Sequence, residues 1–189
     1  VITPGLPFWL TEKTLGGVEA LGAGESLRRS VDELKAHKVD AIVVLGHMGW
    51  RFQDDFANPV REMLAQVAED VDVYLAGHSH QDQPSWMSGR VLCSQTNYYG
   101  IHCGRVDLTF DRESRKLIDR RAFTVLMDSR FDLDPLVIEV AQPELAKAEE
   151  QMKRKVCTVK QEIPAEKIAP LLCTAFAAAL QKNGTTVDG

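Results

Sequence analysis

Apolar and polar positions change their spacing three times along the chain. Leu27, Val31 and Leu34 share one face of a helix predicted from a Ser26 N-cap through Lys38. Ala41-Ile42-Val43-Val44-Leu45 is then a continuous apolar run. Such a run after a helix predicts a short strand buried on both faces. It ends at Gly46-His47-Met48-Gly49. The unit then comes a second time. Asn58-Pro59 predicts an N-cap with proline at the first helical position, and Val60, Met63, Leu64 and Val67 form the apolar stripe. Val71 to Ala76 is a second buried run, ending at Gly77-His78-Ser79-His80.

After residue 84 the spacing becomes two. Val91 to Gln95 is a strand candidate, and Arg105–Phe110 and Lys116–Met127 flank a polar turn at Asp111-Arg112-Glu113-Ser114. That pattern predicts a β-hairpin. From Asp134-Pro135 the pattern turns helical, with Glu139–Lys155 interrupted or restarted near its beginning by Pro143. Lys160–Pro164 is a linker, and Ala165–Lys182 is a helix with Ile168, Leu171, Leu172, Ala175, Phe176 and Ala179 apolar. Residues 1–23, rich in Gly and Pro, read as a loop. The organisation expected is therefore residues 1–130 as an α/β body, 131–164 as a helical linker and 165–189 as the start of a further domain.

Composition narrows the class. Hydrophobic residues are 44% and charged residues 26% of the 189, enough apolar material for a core. The formal charge of -5 argues against a nucleic-acid polymer as partner. No apolar run reaches the roughly 18 residues of a bilayer span. Cys93, Cys103, Cys157 and Cys173 include no Cys-x-x-Cys pair, which excludes a zinc ribbon and a disulfide scaffold. There is no glycine-rich phosphate loop and no Gly-x-Ser-x-Gly elbow. Val1-Ile2-Thr3-Pro4-Gly5-Leu6-Pro7 reads as a strand end running into a turn, and Asn183 to Gly189 stops without a finish. Both ends lead us to expect a fragment.

The chemistry concentrates on His47, His78 and His80, each just past a buried strand. Ligand sites of α/β sheets favour that edge. In an extended segment residues i and i+2 point to one side, so His78 and His80 can face one pocket with His47 arriving from the neighbouring strand. Gly46 and Gly77 let the backbone turn sharply. Imidazole suits zinc, manganese, iron, cobalt or nickel. Three imidazoles fit a mononuclear catalytic zinc site or part of a two-metal site. The plainer alternative for any one of them is a hydrogen-bonded structural histidine, and His37 and His102 are read that way. Asp54 and Asp55 are candidates to touch a metal-bound water, or are solvated. Asn97, Tyr98 and Tyr99 line a pocket or simply pack. Trp50 and Trp86 wall the site or cover the sheet edge. Lys153-Arg154-Lys155 reads as a solvated helix face.

Val43-Val44-Leu45-Gly46-His47-Met48-Gly49 followed by Leu75-Ala76-Gly77-His78-Ser79-His80 resembles the calcineurin-like metallophosphoesterases, in their 5'-nucleotidase and 2',3'-cyclic-nucleotide phosphodiesterase branch. Ile2-Thr3-Pro4-Gly5-Leu6-Pro7 and Tyr99 to Leu108 are similar to that branch too, as is the helical stretch after residue 134. The resemblance implies a four-layer αββα sandwich, of which this chain carries the C-terminal half, followed by the connection to a nucleotide-recognition domain. It implies two divalent metals at the sheet edge, with His47 and His78 on one and His80 on the other. The family's Asp-x-His, Gly-Asp and Asn-His motifs do not occur here, so no catalytic acid is assigned and these residues alone are expected to be inactive or nearly so. The implied activity is hydrolysis of nucleotides or related phosphate esters, and the implied location is periplasmic or extracellular. Two other readings stand beside it: a non-catalytic module that binds a partner or completes its site in a complex, and a mononuclear three-His zinc hydrolase with Asp54 or Asp55 as base.

Overall fold

The computed structural model describes residues 1–3, 5–6, 10–50, 59–155, 158 and 160–184. Chain contacts divide it into two units, 1–132 and 133–189.

The first unit opens with a four-residue helix α1 (Glu12–Leu15), capped by the Thr11 side chain and ended by Gly16 in a left-handed conformation. Helix α2 follows at Ala23–Ala36. It begins three residues before the expected Ser26 cap, because Gly22 is the N-cap and the Ser26 amide already donates to the Gly22 carbonyl at 3.1 Å. Strand β1 (Val43–Gly46) leads to α3 (Val60–Ala65), with Pro59 at the cap rather than inside the helix. Asn58, the expected cap, lies outside the described residues. Strands β2 (Val73–Ala76), β3 (Asp82–Ser88) and β4 (Val91–Thr96) complete one sheet. A hairpin of β5 (His102–Phe110) and β6 (Leu117–Leu126) forms a second.

The four-stranded sheet has the order β1-β2-β4-β3. β1, β2 and β4 are parallel, and β3 returns antiparallel on the outer side of β4. Leu27 and Val31 of α2 and Val60, Met63 and Leu64 of α3 pack on one face of this sheet with Val44, Tyr74, Val91 and Cys93. Each fully buried aliphatic chain there contributes about 1.5–3 kcal/mol. On β4 the alternate residues Leu92 and Ser94 are buried too. The hairpin packs against β3 and β4 and covers that opposite face. Arg120 of β6 fastens it, reaching Asp72 at 3.1 Å and the Arg90 carbonyl at 2.5 Å.

Two expectations need correction. β1 is not buried on both faces: Val44 is in the core, but Val43 and Leu45 are 45% and 69% exposed. The helices cover one face only, and the hairpin sits over the far strands, not over β1. The strand β3 was not foreseen, because Pro84 and its polar neighbours hide it. An edge strand tolerates proline, and the register shift between Gln83 and Trp86 absorbs it. The result is a mixed α/β fold. Within the first unit, helices, mixed sheet and hairpin form successive layers.

The second unit holds α4 (Pro135–Lys153) and α5 (Ala165–Lys182). α4 starts where the helical pattern begins in the sequence, at an Asp134 N-cap that accepts from the Leu136 and Val137 amides, and Pro143 lies within it without ending it. Neither helix buries a side chain, so the apolar stripe of Ile168, Leu171, Leu172 and Phe176 stays exposed. Among the described residues no helix is long and apolar enough to cross a membrane.

Candidate metal centre

The parallel pairing of β1 with β2 sets Gly46 opposite Ala76, so both Gly-His steps leave the sheet side by side. The imidazoles of His47 and His78 meet edge to face, 5.2 Å between centroids and 65° between planes. Gly77 lies beside the pair, where a Cβ would meet the Gly46 carbonyl oxygen and His47 Nδ1 at 3.6 Å, an ordinary contact. Gly46 has no room for one at all, since the Tyr74 ring occupies that space. The Tyr74 hydroxyl donates to the Met48 carbonyl at 2.6 Å and ties the His47 turn to β2. Burial, and after it the neighbouring Cys93, pushes the Tyr74 phenol well above its usual range. On the other side the His47 amide donates to the Val1 carbonyl at 2.9 Å, and Ile2 bridges to His47 in parallel.

His78 stands at the centre of a three-residue turn closed by Ser79 N–H to the Gly77 carbonyl at 2.8 Å, with φ of 71°. That positive-φ form of γ-turn is rare and strained. His80 also has positive φ, 54°. The segment is therefore not extended, and the same-side argument for His78 and His80 fails. His78 turns to His47, whereas His80 lies against Tyr98 at 5.4 Å.

A buried polar network lies beneath. Ser79 Oγ donates to Gln95 Oε1 at 2.9 Å, and Gln95 Nε2 donates to the Gln81 carbonyl at 2.8 Å. Gln83 Nε2 donates to the Trp50 carbonyl at 2.9 Å, with Ser79 Oγ 3.4 Å from the same oxygen. The sequence reading passed over these residues, although a glutamine ending the apolar run from Val91 was a signal available.

The remaining candidates fall in several places. Trp50 and Trp86 pack together at 5.4 Å with the Arg61 guanidinium 3.7 Å over Trp50, so they back the His47 turn. Tyr98 and Tyr99 meet edge to face at 4.8 Å, and Tyr99 is 90% exposed. His37 caps the end of α2. His102 faces Asp82 at 3.6 Å, where Asp82 also accepts from Thr124 of β6. This pair joins the hairpin to β3, a structural role. Lys153 pairs with Glu149 at 3.2 Å on an exposed face. Asp54 and Asp55 lie outside the described residues.

The donor chemistry of His47 and His78 fits a borderline divalent ion as two of its ligands. It does not by itself make a site. Among the described residues no three His, Cys, Asp or Glu side chains come together where they could hold a metal, so three imidazoles do not assemble a mononuclear zinc centre there. Cys93 offers no alternative nucleophile, since burial pushes its thiol up to about 12.

Residues 11–82, which contain all three histidines, match the family model described as calcineurin-like phosphoesterase. An apyrase of Aedes albopictus is 25% identical over 182 residues, 84% of this chain and 31% of the apyrase. A protein described as a 5'-nucleotidase from Staphylococcus aureus, solved with alpha-ketoglutarate, superposes with a TM-score of 0.67 at 24% identity, covering 86% of this chain and 32% of that one. The calcineurin-like phosphoesterase YfkN from Bacillus subtilis superposes with a TM-score of 0.64 at 19% identity, covering 80% and 51%. The two structures establish the fold. The chain spans about a third of the length of the apyrase and of the Staphylococcus aureus protein.

Proposed function

We propose that this chain belongs to a metal-dependent hydrolase of phosphate esters, with nucleotides or related small esters as substrates. In this reading His47 and His78 hold one of two divalent ions and His80 holds the other. One observation carries it: two imidazoles 5.2 Å apart at the carboxyl ends of adjacent parallel strands, within the matched segment. The names of the relatives, an apyrase and a 5'-nucleotidase, support nucleotides as the substrate class.

Divalent ions held by these histidines would supply Lewis-acid stabilisation of an in-line displacement and would make hydroxide available near neutral pH. The chain's own residues do the holding. His47 and His78 offer ring nitrogens from turns held together by the Tyr74 ring, which fills the space at Gly46 and bonds to the Met48 carbonyl. Trp50, packed against Trp86 with the rings tilted at 47°, backs the His47 turn. Among the described residues no third His, Cys, Asp or Glu joins this pair, so in this reading a complete centre needs ligands beyond them.

The test is metal content and phosphatase activity of the complete protein with His47→Ala and His78→Ala. Each substitution is expected to remove metal and activity together. Full metal and full activity in either variant removes that residue from the site. The observation that no three ligands converge among the described residues favours a second reading, a non-catalytic module that serves a partner. Metal stoichiometry separates the two: two ions per complete chain in the first, none in the second.

A further inference from the structure

We propose that Ser79 and Gln95 are positioning residues that hold His78 in its strained turn, so that its imidazole meets that of His47. The functional meaning rests on the metal reading above; the geometry can be tested without it.

A non-glycine residue at φ of 71° is unfavourable and persists only where its surroundings over-determine it. The surroundings here do so from three directions. The Ser79 amide closes the turn onto the Gly77 carbonyl at 2.8 Å. Ser79 Oγ is fastened to Gln95 Oε1 at 2.9 Å, and both residues are only 1% exposed. The other end of the same amide donates to the Gln81 carbonyl at 2.8 Å, so Gln95 grips the chain on both sides of His80. The network also reaches the His47 turn. The Trp50 carbonyl accepts from Gln83 and lies 3.4 Å from Ser79 Oγ. Gly49 completes the fit: a Cβ there would come within 3.0 Å of the Gly77 carbonyl oxygen, Ser79 Oγ and Gln95 Oε1 at once.

Stability alone does not call for a glutamine at this place. A buried amide gains little over an apolar side chain of the same shape, since its bonds replace bonds to water. What a fully bonded buried amide supplies is a single geometry. Metal ligands need that, and loss of the hydrogen bonds that orient them commonly weakens metal binding by about 10–100-fold.

The experiment compares the complete protein with its Ser79→Ala, Ser79→Thr, Gln95→Leu and Ser94→Ala variants. Ser94 is the control, because its buried hydroxyl makes no hydrogen bond among the described residues. Circular dichroism reports the fold, the NMR ring-to-ring Overhauser effect between His47 and His78 reports the geometry, and cobalt(II) titration reports affinity. Ser79→Ala and Gln95→Leu are expected to keep the fold and lose the ring-to-ring signal, with cobalt(II) binding weakened by about 10–100-fold. Ser79→Thr, which keeps the hydroxyl, is expected to restore both. Should Gln95→Leu fail to fold, Ser79→Ala decides. A Ser79→Ala chain with the wild-type ring signal, behaving like Ser94→Ala, overturns the proposal. A complete wild-type protein that shows the ring signal but binds no cobalt(II) counts against the metal reading, while loss of that signal in Ser79→Ala still upholds the positioning role.

Discussion

Replacing Tyr74 with phenylalanine removes one oxygen from the floor of the site and nothing else. The ring is fully buried, and its hydroxyl donates to the Met48 carbonyl at 2.6 Å. A neutral hydrogen bond of this kind contributes about 1 kcal/mol net, and a buried acceptor left without its donor costs about 1–3 kcal/mol. The expected loss near pH 8 is therefore about 1–2 kcal/mol. At a urea slope of about 2 kcal/mol/M this moves the unfolding midpoint down by about 0.5–1 M. A second signature comes from burial of the phenol. Its pKa lies above the ordinary value of 10.0 in the folded chain. Above pH 10 the unfolded chain gives up this proton and the folded chain keeps it. Fewer protons on the unfolded state means that stability falls as pH rises, by up to about 1.4 kcal/mol per pH unit from this group. The phenylalanine variant lacks that loss. The stability gap is thus expected to narrow above pH 10 and to close near about pH 11. Urea titrations of both proteins at pH 8, 9, 10 and 11 measure it. A gap that stays constant to pH 11, or no gap at pH 8, refutes the assignment of this hydroxyl as a buried donor.

Other consequences are equally accessible. Gly49→Ala places a methyl group against the Gly77 carbonyl, Ser79 and Gln95; overpacking of this kind costs about 1–3 kcal/mol and is expected to lower the urea midpoint. Asp70 accepts from Lys35 at 2.5 Å and Arg28 at 2.8 Å, which hold its carboxyl below the usual 3.8. That contribution is present above the unfolded pKa and is lost as pH falls through the folded one. Asp70→Asn should therefore flatten the fall of stability below about pH 4, and an unchanged acid limb would count against the pairing. Both cations are partly exposed, so the effect at neutral pH should stay within about 1 kcal/mol. Cys93 is buried with its thiol pushed up to about 12, while Cys103 and Cys173 are exposed. Ellman's reagent is expected to label the latter two in the native chain and Cys93 only after unfolding.

Local pattern was enough for several elements. Residues 165–182 are helical to the residue expected, because nothing but helix periodicity and the flanking Pro164 and Asn183 decides them. The apolar runs before Gly46 and Gly77 became adjacent strands, and the alternation around the turn at Asp111 became a hairpin. Elements whose reason is a distant neighbour were not legible. Strand β3 exists because β4 offers it an edge, against the preference of Pro84. Val43 and Leu45 look like core in the sequence and are exposed, since burial depends on what lies opposite.

The site divides in the same way. That Gly-His steps end two buried strands is written in the order of residues, and with it the choice of His47, His78 and His80 as candidates. That His47 and His78 meet, while His80 turns to Tyr98, was decided by tertiary structure. The backbone at His78 and His80 takes a left-handed conformation that local preference opposes. Buried hydrogen bonds from Gln95, sixteen residues past Ser79, hold that turn closed. Periodicity reports which residues seek burial; only the packed fold supplies the partners that fix where their neighbours point.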